Sequence, residues 1–165
     1  MNSTIKNVSY ENLWKKDLGE LKKEVIIMWK QHNPGFEEAK AEERANQMVL
    51  VVKNEFEQVI GVSTAFKVYI KQFRNFMYSI RLMVLPEYRS QKLATDLLVR
   101  SRDFLESIHQ EDQPDPPIGM ITLVENELLK NNKREAIWPA SKMIYAGNSN
   151  KGHHIRVYYF KGATI

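Results

Sequence analysis

The chain has 165 residues, of which 43% are hydrophobic and 27% charged, with a formal net charge of +4 and no cysteine. That length is enough for one real core and short for two, and the composition excludes disordered and fibrous chains. The lack of cysteine removes disulfides, thiolate metal sites and any covalent Cys-acyl intermediate.

In chain order, Thr4 to Tyr10 reads as a weakly patterned first strand. Leu18, Leu21, Val25 and Met28 mark a helix to about Gln31, and Asn33-Pro34-Gly35 stops it. Pro34 to Gln47, rich in Glu, Ala and Arg, predicts a second and more exposed helix. Met48 to Lys53 and Val59 to Ile70 are β-rich runs joined through Asn54-Glu55-Phe56-Glu57-Gln58, which predicts a hairpin. A strand follows from Phe76, with Phe76, Tyr78, Ile80, Leu82 and Val84 alternating against Met77, Ser79, Arg81 and Met83. Such alternation predicts one buried face.

Pro86 ends that strand, and from Leu93 the positions Leu97, Leu98, Ser101, Phe104, Leu105 and Ile108 line one side of a helix. The acidic, Pro-rich stretch His109 to Pro117 cannot continue it. Ile118 to Val124 predicts a strand and Glu127 to Trp138 a helix broken at Pro139. Met143 to Ala146 and His154 to Phe160 then form a final pair. Trp14, Trp29 and the methionines fall at core-like spacings.

No apolar run is long enough to span a membrane, and the first residues, MNSTIKNVSYENLWKK, lack a signal-peptide core. The simplest expectation is a cytoplasmic protein. The positive charge is spread along the chain and suits either an anionic ligand or solubility. Without a run of Lys and Arg interleaved with aromatics, nucleic acid is a minor expectation. His153 and His154 are adjacent in a strand and point to opposite faces, so no metal site is expected there. Tyr158-Tyr159-Phe160 reads as a terminal strand, whose exposed edge could pair with a second copy to give a homodimer.

The stretch Phe76 to Ile108 carries the most information. A strand, a turn PEYRSQKLA and an amphipathic helix place backbone N–H groups at a helix start, where an anion can be held. The residues Leu82-Met83-Val84-Leu85-Pro86-Glu87-Tyr88-Arg89, followed by Ser90-Gln91-Lys92-Leu93-Ala94, resemble the signature of the GNAT superfamily of acyl-CoA-dependent N-acyltransferases. In that signature a strand and Pro precede Q/R-x-x-G-x-G/A. The first and last positions match as Arg89 and Ala94, and the central Gly is Lys92. Lys92 either donates its backbone N–H and adds a charge near the phosphates, or its side chain obstructs the grip.

The order β-α-α-β-β-β-α-β-α-β-β over residues 1–165 matches this family. The resemblance implies one α/β (α+β) domain, with a mixed, mostly antiparallel sheet splayed between its fourth and fifth strands. It implies acetyl-CoA as acyl donor and a primary amine of a small molecule or peptide as acceptor. The pantetheine arm would pair with the backbone of Met83, Val84 and Leu85. The diphosphate would sit on the amides of Gln91, Lys92, Leu93, Ala94 and Thr95, with Arg89 as a supporting charge. A Val84 backbone N–H could meet the oxyanion.

Relatives often carry an Asn and then a Tyr before a Gly-Phe. Here Trp138-Pro139 occupies the region of the Tyr, and Tyr145 is the nearest downstream phenol, hence the candidate thiolate acid. Asn126 could contact the CoA arm or cap a helix. Relatives also often use a carboxylate on the fourth strand, and this strand has none. A bound water, or Glu55 or Glu57, could stand in as base, and Arg81 could recognise an acidic group on the acceptor. The alternative reading is a catalytically inactive CoA-binding or interaction module of the same fold.

Overall fold

The computed structural model describes residues 7–165, the side chains of Ser90 and Gln91 excepted. Seven strands are linked in the order β1-β2-β3-β4-β5-β7-β6. They are β1 (Ser9–Asn12), β2 (Met48–Lys53), β3 (Val59–Ile70), β4 (Asn75–Val84), β5 (Gly119–Val124), β6 (Ile144–Asn148) and β7 (His154–Tyr159). The α-helices are α1 (Glu20–His32), α2 (Glu38–Ala45), α3 (Leu93–Ser107) and α4 (Glu127–Asn132). The chain divides into two compact units, one up to Ala65 with Arg81–Ser101, the other Phe66–Ile80 with Arg102–Ile165.

In the first unit, β2 is buried on both faces because helices lie on each. Val51 pairs with Val62, and both join Val25, Ile26, Met28 and Trp29 of α1 and Ala41 and Ala45 of α2 in one apolar cluster. The two alanines, one helical turn apart, let α2 approach closely. Leu50 pairs with Ser63 on the opposite face, toward α3. There the Ser63 hydroxyl accepts from the Leu50 amide at 3.1 Å and lies 2.7 Å from the Ser101 hydroxyl, which also reaches Leu97 O at 2.7 Å. These fully buried hydroxyls are satisfied by one another and by backbone, which removes most of the cost of burying them.

In the second unit β5 is parallel to β4 through Tyr78–Met120 and Ser79–Ile121, and antiparallel to β7 along its whole length. β6 lies beyond β7. Arg156 on β7 is 1% exposed. Its guanidinium donates to the carbonyls of Lys133, Glu135 and Ala136 and lies over the Trp138 ring at 4.6 Å. Burial pushes the Arg156 pKa down, while Glu135 and Tyr145 oppose that shift. At the end of α3, Glu106 accepts from the Tyr158 hydroxyl at 3.0 Å and from the Lys161 amide at 2.8 Å.

Several expectations change. The first strand is Ser9–Asn12, and the part expected from Thr4 to Lys6 lies outside the described residues. α2 is limited to Glu38–Ala45, because Pro34 and Gly35 sit in the turn that ends α1. β4 is buried on both faces, through Met77 on one and Ile80 and Val84 on the other, so the alternation overstated one face. α4 ends at Asn132 and does not reach Trp138. Arg156 takes the carbonyls a longer helix would use, and Ile137 instead bridges Ile144. β7 is not the terminal strand of the sheet, since β6 lies beyond it and pairs with His154, Arg156 and Val157, while Tyr158 and Tyr159 pair with Met120 and Gly119 of β5. Among the described residues, no helix is long and apolar enough to cross a membrane.

Two stability outcomes follow from these contacts. A Cβ on Gly119 would stand 2.0 Å from Tyr158 O, a backbone atom that cannot step aside alone. Gly119→Ala should therefore lower the unfolding free energy by about 2–3 kcal/mol in urea titrations, and an unchanged midpoint would contradict that close approach. Burial raises the phenol pKa values of Tyr10, Tyr78 and Tyr158, with Glu106 adding to the shift at Tyr158. The folded chain thus holds these protons more tightly than the unfolded one. Their stabilisation is complete below about pH 10 and is lost as pH rises through the folded values. Tyr158→Phe should lose less melting temperature than the wild type on passing from about pH 9 to 11.

Candidate functional site

The candidate site in the first unit is built where β4 passes into α3. Leu85 N donates to Ile60 O at 2.9 Å, which ties the strand end to β3. Since alternate residues of an antiparallel strand present their amides to opposite edges, Val84 N–H is turned away from β3. Val84 O accepts from Arg89 Nε at 2.9 Å, so Arg89 closes back on the strand it follows. Of the three residues expected to pair with a pantetheine arm, only Val84 presents its amide to that outer edge, and Leu85 is committed to β3.

Pro86–Gln91 form a 3₁₀ turn with Pro at its start, and Lys92 follows with φ 59° and ψ 8°. This is the left-handed region that favours glycine, at the position where the resemblance calls for Gly. The Lys92 side chain is exposed, so the turn is kept without a side chain buried in it. α3 then starts at Leu93, and Asp96 N donates to Lys92 O at 3.0 Å. An α-helix cannot satisfy its first amides internally, so those of Leu93 and Ala94 precede the helix's own ladder. They lie at the positive end of a 15-residue helix whose Leu93 and Leu97 are buried.

An anchor for this turn escaped the sequence reading. Asn54 of the β2–β3 hairpin donates through Nδ2 to the Tyr88 hydroxyl at 3.3 Å, while its Oδ1 accepts from the amides of Phe56 and Gln58. Asn54 is 7% exposed. An Asn in a hairpin reads as a turn former, and nothing local announces its second partner 34 residues away. Beside Tyr88, a cleft of about 700 Å³ is lined by Glu87, Leu85, Val59 and the Glu24, Ile27 and Met28 side of α1. Glu55 and Glu57 are exposed in the hairpin turn, and Glu57 is 4.0 Å from Lys53.

The other candidates belong to the second unit. Asn126 caps α4, its Oδ1 accepting from Leu129 N at 3.1 Å. Trp138 donates its indole N–H to Lys133 O, and its carbonyl accepts from Lys142 N. Lys142 has φ 60° and Met143 is fully buried. Tyr145 is 42% exposed, its hydroxyl donating to Asn148 Oδ1 at 3.0 Å and its ring edge-on to His154 at 5.3 Å. With β7 between β6 and β5, Tyr145 stands two strand spacings from β5, about 10 Å. His153 Nδ1 lies 3.8 Å from Glu125. Among the described residues, no group of three His, Asp or Glu could hold a metal ion.

No family model matches the sequence, and no curated protein is similar to it. Solved structures are similar in fold over nearly the whole chain. A GNAT superfamily phosphinothricin acetyltransferase from Sinorhizobium meliloti, in complex with AcCoA, has a TM-score of 0.67 at 14% identity, covering 96% of this chain and 91% of that one. A ribosomal-protein-S5-alanine acetyltransferase from Vibrio fischeri has a TM-score of 0.63 at 11% identity, with 97% of each chain covered. A GNAT family acetyltransferase from Brucella melitensis, in complex with acetyl-CoA, has a TM-score of 0.58 at 12% identity, covering 96% and 92%. The chain has the fold of the GNAT acetyltransferases.

The turn at Lys92 makes a direct prediction. A left-handed lysine is strained by about 1 kcal/mol, which glycine relieves and a β-branched residue worsens. Lys92→Gly should raise the unfolding free energy by up to about 1 kcal/mol and Lys92→Val should lower it by a similar amount. The opposite order in urea denaturation would rule out the left-handed turn.

Proposed function

We propose that this protein binds acetyl-CoA at the β4–α3 junction and moves its acetyl group directly to a primary amine of a small molecule or peptide. The observation that carries the reading is the left-handed turn at Lys92, which leads into the start of α3 at Leu93. The diphosphate lies on the amides of Gln91, Lys92, Leu93, Ala94 and Thr95, with Arg89 and the exposed Lys92 supplying positive charge. The pantetheine arm runs along the Met83-Val84-Leu85 segment. Asn126, whose Oδ1 caps α4, contacts the same arm through its amide N–H groups in this reading.

In the transfer, the amine nitrogen attacks the thioester carbonyl carbon and the negative charge develops on oxygen, where the Val84 N–H stabilises it. The tetrahedral adduct collapses, the C–S bond breaks and the thiolate takes a proton, a role we assign to Tyr145, while the nitrogen of the new amide gives up its extra proton and so restores the phenol. The ammonium of a lysine-like acceptor, with a pKa of about 10.4, first gives up a proton to water. No carboxylate stands on β4 to take it.

A second reading, a CoA-binding module without turnover, is favoured by two observations. Trp138 occupies the place where the resemblance calls for a Tyr, and the Tyr145 hydroxyl is bonded to Asn148. The two readings part in one experiment. Calorimetry with acetyl-CoA should show binding that Ala94→Trp abolishes by filling the space beside the diphosphate. Undiminished affinity in that variant would overturn the placement. With binding established, amine-dependent release of CoA thiol across a panel of primary amines supports the transferase, and tight binding without release supports the module.

A further inference from the structure

The cleft beside Tyr88 has a lining that the acetyl-CoA reading does not use. It opens between one side of α1, the start of β3 and the turn after β4, and its volume of about 700 Å³ is in the range that holds a small molecule. Met28, Val59 and Ile60 are buried along it and Leu85 is half-buried. Ile27 lines the same cleft at 55% exposure and is absent from the apolar cluster that its neighbours Val25, Ile26 and Met28 join. Tyr88 adds an aromatic ring. Its hydroxyl is held by Asn54 Nδ2 at 3.3 Å, so the ring is fixed by a residue that is itself buried.

The charges around this apolar lining have one sign in excess. Glu20, Glu24 and Glu87 line the cleft, against the ammonium of Lys23 and the imidazole of His32. Lys23 lies 3.1 Å from Glu20, so those two offset each other. Glu24 Oε1 accepts from Val59 N at 3.2 Å, which fixes that carboxylate at the β3 wall, and Glu87 stands exposed in the 3₁₀ turn next to Tyr88. The chain as a whole carries +4, so this local negative excess runs against the overall balance. We propose that the cleft binds an organic cation, an ammonium that carries an apolar chain or ring. The apolar body lies on Ile27, Met28 and Leu85. The charge sits among Glu24, Glu87 and the face of Tyr88, since carboxylates and an aromatic face both attract a cation. A carboxylic acid would meet like charge here, and a neutral apolar molecule would leave the carboxylates unmatched. Of the residues assigned to acetyl-CoA, only Leu85 lines this cleft, so the site stands whether or not that assignment holds.

Amide NMR spectra of the isotope-labelled full chain, titrated with hexyltrimethylammonium, test this. The probe has no N–H and no lone pair on nitrogen, so it cannot accept an acyl group and reports binding alone. The amides of Ile27, Val59, Leu85 and Tyr88 should shift and saturate in the millimolar range, and hexanol and hexanoate should each bind about tenfold more weakly or worse. Added salt should weaken the probe and leave hexanol unchanged. Ile27→Lys, which brings a cation into the cleft from an exposed position, should abolish the shifts, and Glu87→Gln should weaken the probe about fivefold. Circular dichroism checks that both variants keep the fold, and Glu87→Gln decides alone if Ile27→Lys does not. Hexyltrimethylammonium that leaves these four amides unmoved overturns the proposal, as does hexanol or hexanoate binding as tightly as the probe. Unchanged probe affinity in either folded variant places the ligand elsewhere and overturns it as well.

Discussion

The structure around the candidate site depends on one constraint: a strand must end and a helix must begin within a few residues, with the helix aimed back along the sheet. Leu85 is held to Ile60, Arg89 reaches back to Val84 O, and Lys92 turns the chain through left-handed space into Leu93. Each contact uses backbone. A glycine makes such a turn without strain, and a lysine makes it at a cost the surrounding packing must offset. Leu93 and Leu97, both buried, and the Ser63–Ser101 contact fix α3 onto the sheet and supply that offset. The amides at the helix start are thereby presented on a rigid support, the condition for binding an anion without ordering a loop first.

The second unit is organised by a buried charge. The Arg156 guanidinium donates to the carbonyls of Lys133, Glu135 and Ala136 and has two aromatic rings beside it. The Ala136 carbonyl also accepts from Tyr145 N, so the same atom joins the guanidinium, the loop after α4 and β6. Carbonyl dipoles converging on a delocalised cation replace the water it loses. The clamp holds Trp138 and Tyr145 on either side, and it converts what reads as the end of a helix into a strand-like segment along β6.

Much of the fold was legible in the sequence because its periodicities are local. The helix from Leu93, with Leu97, Leu98, Ser101 and Leu105 inside, appears where the spacing placed it. The β2–β3 hairpin and the stop at Asn33-Pro34-Gly35 followed from turn chemistry. The candidate site was legible in part, as a strand, a turn and a helix start. What stayed hidden depends on partners far along the chain. Asn54 gives no sign of Tyr88, and Glu127 to Trp138 has helical composition until Arg156 arrives from β7 to claim its carbonyls. Tyr158-Tyr159-Phe160 reads as part of a terminal strand from its own residues, and only the order of strands puts β6 outside β7.

By itself the sequence determined the number and kind of elements, the absence of cysteine chemistry and the turn that leads into α3. Those properties come from residue type and short-range spacing, which act before any long-range contact forms. The tertiary structure alone decided that Val84 and not Leu85 offers its amide outward, that Lys92 adopts a glycine's conformation, and that Tyr145 stands two strands from β5. Each depends on which strand lies beside which, and strand order is set by packing among residues distant in the chain.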